Sequence, residues 1–206
     1  FLGASSVEDE WPQQTRLTEV ERTEIYARWF IAMRWIAVLL AGLLVFLSVR
    51  VVEWLPRDVW WPLVGTVAAL AGANLLYLFL IRWDRSIPAQ LFLQAYVDLA
   101  ILTVLLHFSG GIENPLSTIM LFHVIIGGIL LPRRQCYGMA AVGSLLFALM
   151  AWAEGANIVA HYTLKLYPHL EQAGHLFHPA HHPLFAFSLG VLQAAILFLT
   201  AYFVTT

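Results

Sequence analysis

The sequence predicts an all-α polytopic membrane protein, a six-transmembrane-helix bundle with its N and C termini cytoplasmic. Three observations carry this. The chain of 206 residues is 60% hydrophobic and 12% charged, far above the usual apolar share and about half the usual charged share. Its apolar residues fall in blocks of about twenty, the length a helix needs to cross the hydrocarbon core. Basic residues gather in alternate connections between those blocks, as positive-inside topology requires.

The blocks are residues 29–49, 60–81, 89–107, 115–131, 136–158 and 184–206. Any form but a helix would leave peptide groups unpaired in lipid. The fourth block has only about 17 residues, yet still reaches about 26 Å at the helical rise. Ahead of the membrane domain 29–206 lies a polar cytoplasmic arm, residues 1–28. Within it Thr18 and Glu21 have capping-box spacing, which predicts a short helix leading into the membrane. Small residues form stripes at Ala37 and Ala41, and at Gly65, Ala69 and Gly72, which reads as helix packing. The chain begins at Phe1 and ends at Thr206 inside an apolar run, so it reads as a fragment of a longer protein.

The inner connections hold Arg16, Arg22, Arg28, Arg82, Arg85, Arg133 and Arg134, against Arg50, Arg57 and Lys165 on the other side. This asymmetry sets the orientation. Trp54, Trp60 and Trp61 sit where an interfacial belt is expected. A net charge of −2 argues against a nucleic-acid partner. The one cysteine, Cys136, rules out an internal disulfide and a CxxC site.

The outer turn between the third and fourth spans reads His107-Phe-Ser-Gly-Gly-Ile-Glu-Asn-Pro-Leu-Ser117. Gly110 and Gly111 suit a sharp reversal because they take positive φ at little cost. Asn114 is a good N-cap and Pro115 suits the first helical position. Ser117 and Thr118 can bond amides of the first turn. Glu113 is not explained by a turn alone. The start of the fourth helix presents N–H groups and a positive dipole end outward. That is a fit for a carbonyl of a quinone headgroup, with an apolar ring between the helices below.

Gly110-Gly111-Ile112-Glu113-Asn114-Pro115-Leu116 resembles the GGxxNPF signature of the RegB/PrrB-like redox-sensing histidine kinases. The following LFHVIIGGILLPRR is similar to the fourth helix and basic inner loop of related sensor kinases. The resemblance implies a six-helix domain with the signature in the short outer loop, ubiquinone binding there, and control of a cytoplasmic kinase. It carries the quinone site onto Gly110, Gly111, Glu113, Asn114, Pro115 and Leu116. Leu116 stands where the signature has Phe. This chain has no phospho-accepting histidine segment and no ATP-binding domain, and Cys136 does not map onto the family's redox-active cysteine.

Asp98 sits at the middle of the third span, where an acid costs about 2.5–3.5 kcal/mol on insertion scales. His123 of the fourth span lies at a similar depth and is the expected partner. Their functional reading is a protonation link between quinone state and helix position; the plain one is a hydrogen-bonded packing pair. Gln94 shares the face of Asp98, whereas His107 lies on the opposite face. Arg34 near the inner end of the first helix is expected to snorkel to the interface. Glu154 and Asn157 are expected at the outer interface, and Asn74 and Gln193 in interhelical hydrogen bonds.

The outer loop 159–183 contains His161, His169, His175, His178, His181 and His182. Imidazoles at His175, His178, His181 and His182 suit zinc, copper or nickel, but Pro179 and Pro183 break helical spacing and no cysteine helps. A solvated docking loop is the plain reading. P-loop, dinucleotide, nucleophile-elbow and HExxH patterns are absent, and this chain shows no catalytic residues. The expected role is a quinone-binding, redox-sensing domain in a bacterial inner membrane, a homodimer if a kinase follows. The alternative is an accessory subunit of a respiratory or photosynthetic membrane complex.

Overall fold

A computed structural model describes residues 10–83, 87–165 and 182–206. The regular elements among the described residues are all helices, with no strand. Helix α1 spans Glu10–Phe46, α2 Trp60–Trp83, α3 Ile87–Phe108, α4 Ile119–Leu130, α5 Arg133–Gly155 and α6 Pro183–Thr205. Five segments are long and apolar enough to cross a membrane: Arg28–Val51, Arg57–Leu80, Ala89–Phe108, Arg133–Gly155 and Pro183–Thr205. The sixth, Pro115–Leu130, is shorter. It opens with a 3₁₀ turn over Pro115–Thr118. The steeper 3₁₀ rise stretches those residues, so the segment still reaches roughly 26 Å.

Helix α1 runs without a break through residue 28, where polar arm gives way to apolar span. Thr18 lies inside it, so the capping-box spacing does not mark a helix start. At its C-terminal end α1 relaxes into a π-helical turn, Leu47–Val51, closed by the Val52 N–H on the Leu47 carbonyl at 2.8 Å.

In lipid there is no hydrophobic drive between helices, so close packing and polar contacts decide their arrangement. The most extensive contact joins α5 and α6, and α4 lies against both. Helix α3 packs on α5 on one side and on α2 and α1 on the other. The main core runs through Leu99, Leu106, Met120, Val124, Met139, Phe147 and Leu197. Gly127 lets α4 approach Met139, and Gly128 lets it approach Val204; a Cβ at either position would overlap those side chains. The stripe on α2 behaves otherwise. A side chain added at Gly65 or Gly72 would enter open space, so this face meets no other helix among the described residues.

A second apolar cluster, Val45, Val49, Leu55, Val59 and Leu63, closes the end of the bundle where α1 passes to α2. Tyr162 and Leu164 pack on it. The Lys165 N–H donates to the Trp54 carbonyl at 2.8 Å. Residues 156–165 therefore form a strap from α5 back to the connection between α1 and α2, passing over the turn between α3 and α4.

Candidate functional site

The turn is built by its own side chains. Gly110 and Gly111 have φ of 118° and 54°, conformations that only glycine enters freely. The Asn114 side chain then works in both directions. Its Oδ1 accepts from the Leu116 N–H at 2.9 Å, and its Nδ2 donates to the Ser109 carbonyl at 2.9 Å and to Ser109 Oγ at 2.6 Å. Pro115 follows as the first residue of the 3₁₀ turn. The Ser117 N–H bonds the Asn114 carbonyl, and the Thr118 hydroxyl donates to the Pro115 carbonyl instead of capping an amide. The amides of Leu116 and Ser117, which the sequence offers to a ligand, are thus satisfied within the turn.

The absent side chain of Gly111 makes room for Glu154. A Cβ there would lie 2.6 Å from the Glu154 carboxyl carbon. Leu164 fills the equivalent space over Gly110, at 2.8 Å from an added Cβ. Glu154 is fully buried. Its Oε1 is 2.7 Å from His107 Nδ1 and its Oε2 is 2.8 Å from His161 Nδ1. Glu113 completes the group, 3.6 Å from His161 Nε2, an ion-pair distance. A carboxylate so placed accepts from both Nδ1–H groups, which fixes both imidazoles as Nδ1 donors. Glu154 sits in the last turn of α5, where the helix dipole disfavours an anion. The two histidines offset that.

The strap brings His161 into place through the end of α5. Asn157 takes φ of 55°, its N–H bonds the Glu154 carbonyl at 3.1 Å, and the Ile158 N–H bonds the Ala153 carbonyl at 2.9 Å. These two bonds make a Schellman motif that turns the chain sharply back. Tyr162 then packs edge-on against the His107 ring, centroids 5.6 Å apart, and against Phe108 at 5.6 Å. Burial opposes a charge on His161, but its contacts with Glu113 and Glu154 outweigh that and push its pKa up to about 9. His161 is therefore a cation at neutral pH, locked against two acids.

The same helices carry a second polar group at mid-membrane. Arg34 of α1 forms an ion pair with Asp98 of α3, both 5% exposed. Its Nε donates to Asp98 Oδ2 at 2.8 Å, and further bonds reach the Gln94 side chain at 3.3 Å and the Gln94 carbonyl at 3.0 Å. The guanidinium also lies over the rings of Phe30 and Tyr77, 5.1 and 4.7 Å from their centroids.

A family model described as a PilS-like transmembrane domain matches residues 21–206. The chain belongs to the PilS-like transmembrane domain family. It is a multi-pass membrane domain of the sensor-kinase type. No curated protein and no solved structure matches it.

In this PilS-like domain Gly111 and Glu113 touch the cluster, Gly110 lies under Leu164, Asn114 ties the turn to Ser109, and Leu116 is 40% exposed. Three sequence expectations are corrected. Asp98 does not pair with His123: it pairs with Arg34, because a guanidinium is always charged and matches a carboxylate with a fork of donors. The His123 ring instead contacts the carbonyl of Ile119 at 3.2 Å, one turn back, and faces a small apolar pocket with Phe30, Leu91 and Met139. Arg34 does not snorkel but is buried. Glu154, expected at the interface, is instead fully buried within the protein at the centre of the cluster. Gln193 and Asn74 do tie helices, through the Ser117 and Ile31 carbonyls at 3.2 and 3.3 Å. His175, His178 and His181 lie outside the described residues; His182 precedes α6. Among the described residues no group of three or more His, Cys, Asp or Glu could hold a metal.

Proposed function

We propose that this PilS-like domain is the signal-input part of a sensor kinase in a bacterial inner membrane, and that it reads the quinone pool at its outer turn. The observation that carries this reading is the buried Glu154 carboxylate held between His107 and His161 against Gly111. A quinone headgroup presents two hydrogen-bond acceptors; the quinol presents two hydroxyl donors. A site that tells them apart needs groups that can both donate and accept, and a neutral imidazole carries one ring nitrogen of each kind. His107, partly exposed beside the rings of Phe108 and Tyr162, offers such a group with apolar walls around it. Discrimination is by binding alone, so no electron needs to pass into the protein. The group offered to the headgroup is the His107 ring rather than the amides of the fourth span.

A ligand shifts a sensor only if it binds two helix arrangements with different affinity. Glu154 belongs to α5 and His107 to α3, so a headgroup that competes for His107 acts on the contact between those helices. The partners that follow are the lipid bilayer, the quinone and a second copy of the kinase chain. Membership of the PilS-like family favours this over an accessory subunit of a respiratory or photosynthetic complex.

The test is photolabelling of the chain in lipid nanodiscs with an azido-ubiquinone. Label is expected on peptides covering residues 107–116 and 154–162, displaced by excess ubiquinone and lost in His107→Phe. Label spread over lipid-facing positions with no displacement would overturn the quinone reading.

A further inference from the structure

Helix α3 is gripped at two heights by polar side-chain contacts to opposite neighbours. Asp98 and His107 are nine residues apart, about 13.5 Å along the axis and half a turn round it. Asp98 therefore faces α1 and holds Arg34, while His107 faces α5 and holds Glu154. All four side chains are buried or nearly so. A rigid helix cannot rotate or slide without straining both contacts at once.

Beside the mid-membrane grip lies an unmet acceptor. Asn74 of α2 is fully buried, and its Oδ1 has no hydrogen-bond partner among the described residues. Its Nδ2 bonds the Ile31 carbonyl, one turn before Arg34 on α1. Asn74 also lies one turn from Tyr77, whose ring is under the guanidinium. An unmet buried acceptor is costly in a low-dielectric site, more so in lipid. If α3 draws Asp98 away, Asn74 is the acceptor placed to take up the Arg34 fork. Interfaces of this kind switch between discrete packings; they do not deform continuously.

We propose that α3 is a two-point latch. Its contact to α5 in the outer cluster and its contact to α1 at mid-membrane are energetically coupled, so that the protonation of the outer cluster sets how firmly Asp98 holds Arg34. The groups facing the outer histidines are Glu154 from α5, Glu113 from the turn and Tyr162 from the strap. Those facing Asp98 are Arg34 from α1, Gln94 on α3 itself, Tyr77 from α2 and, more weakly, His123 from α4. The latch needs no quinone, and its signal reaches α1, the helix that continues unbroken out of the membrane towards the N terminus. Coupling of this kind is reciprocal: whatever the outer proton does to the inner pair, the inner pair does to the outer proton.

That reciprocity gives the test. The chain in quinone-free nanodiscs is titrated by ¹⁵N-histidine NMR, with signals assigned through His107→Gln and His161→Gln. The variant is Arg34→Gln with Asp98→Asn, which removes the pair without stranding a charge. The proton affinity of His161 is expected to change by about fivefold or more, the low end of known allosteric couplings. A change below about twofold, within ordinary additivity for separated sites, overturns the latch. Glu53→Gln, which breaks the exposed pair with Arg57, is the control; an equal change there also overturns it. Should the double variant lose its fold, Arg34→Lys keeps the charge but loses the fork, and an unchanged His161 titration in it is equally fatal. Because quinone is absent throughout, a failed latch and a failed quinone site are told apart.

Discussion

At the scale of the residue, the outer cluster explains why Gly111 must be glycine twice over. Its φ of 54° costs another residue about 1–2 kcal/mol. The overlap of a Cβ with the Glu154 carboxylate adds to that. Gly111→Ala is therefore expected to destabilise the domain by at least about 1–2 kcal/mol and to release His161 from Glu154. Thermal unfolding in lipid nanodiscs reads the first and histidine NMR the second; an alanine variant as stable as the parent would sink the packing argument. His161 gives a pH prediction. Its pKa is raised on folding from 6.5 to about 9, so its contribution is fully present below about pH 6.5 and is lost as pH rises to about 9. Hydrogen exchange in residues 156–165 should quicken across that window, and His161→Gln should flatten the dependence. The two glycines and Asn114 were legible in the sequence because turn chemistry is local. Glu154 was not, since its partner His107 is 47 positions away. A position near a helix end reads as interfacial until the strap is known to fold over it.

At the scale of the element, the start of the fourth span shows how a short helix is held in register. Asn114 caps Leu116 and at the same time fastens the turn to Ser109 at the end of α3. Asn114→Ala should cost about 1 kcal/mol for the cap alone, and more with the two Ser109 bonds lost. Asn114→Asp is the sharper probe. It keeps the acceptor for Leu116 but sets a carboxylate against the Ser109 carbonyl, so it should be no better than alanine despite its good capping chemistry. Recovery of full stability in Asn114→Asp would mean that the Ser109 bonds contribute nothing. Arg34 was hidden at this scale by a general rule about long basic side chains, although its own helix carried a signal. Phe30, Arg34, Val38 and Val45 lie on one stripe of α1, and the three apolar members are buried. Asp98, an acid at mid-span, also demands a cation, and Arg34 is the basic residue lying within the apolar part of a span. Removing one partner of such a buried pair costs about 3–5 kcal/mol, whereas removing both costs far less.

At the scale of the whole molecule, the outer connections converge. The strap bonds the connection between α1 and α2 at Trp54, covers the turn between α3 and α4, and leaves from the end of α5. The six-span architecture was legible because apolar block length is set by the membrane itself. The convergence was not, because nothing in hydropathy says which loops touch. It adds a geometric constraint to the topology argument: Trp54, Gly111 and Lys165 must share one face of the membrane. The basic-residue asymmetry predicts that this is the outer face. Single cysteines introduced as Asp58→Cys or Lys165→Cys, on a Cys136→Ser background, should react with a membrane-impermeant maleimide in intact spheroplasts. Arg134→Cys and Thr206→Cys should react only after permeabilisation. The background change is mild because Cys136 is buried and makes one long contact, 3.5 Å to the Val124 carbonyl, which a serine hydroxyl can keep. The reverse labelling pattern would put the His107–Glu154–His161 cluster on the cytoplasmic side. A sensor of the outer leaflet would then be excluded, while the helix contacts that define the cluster would stand.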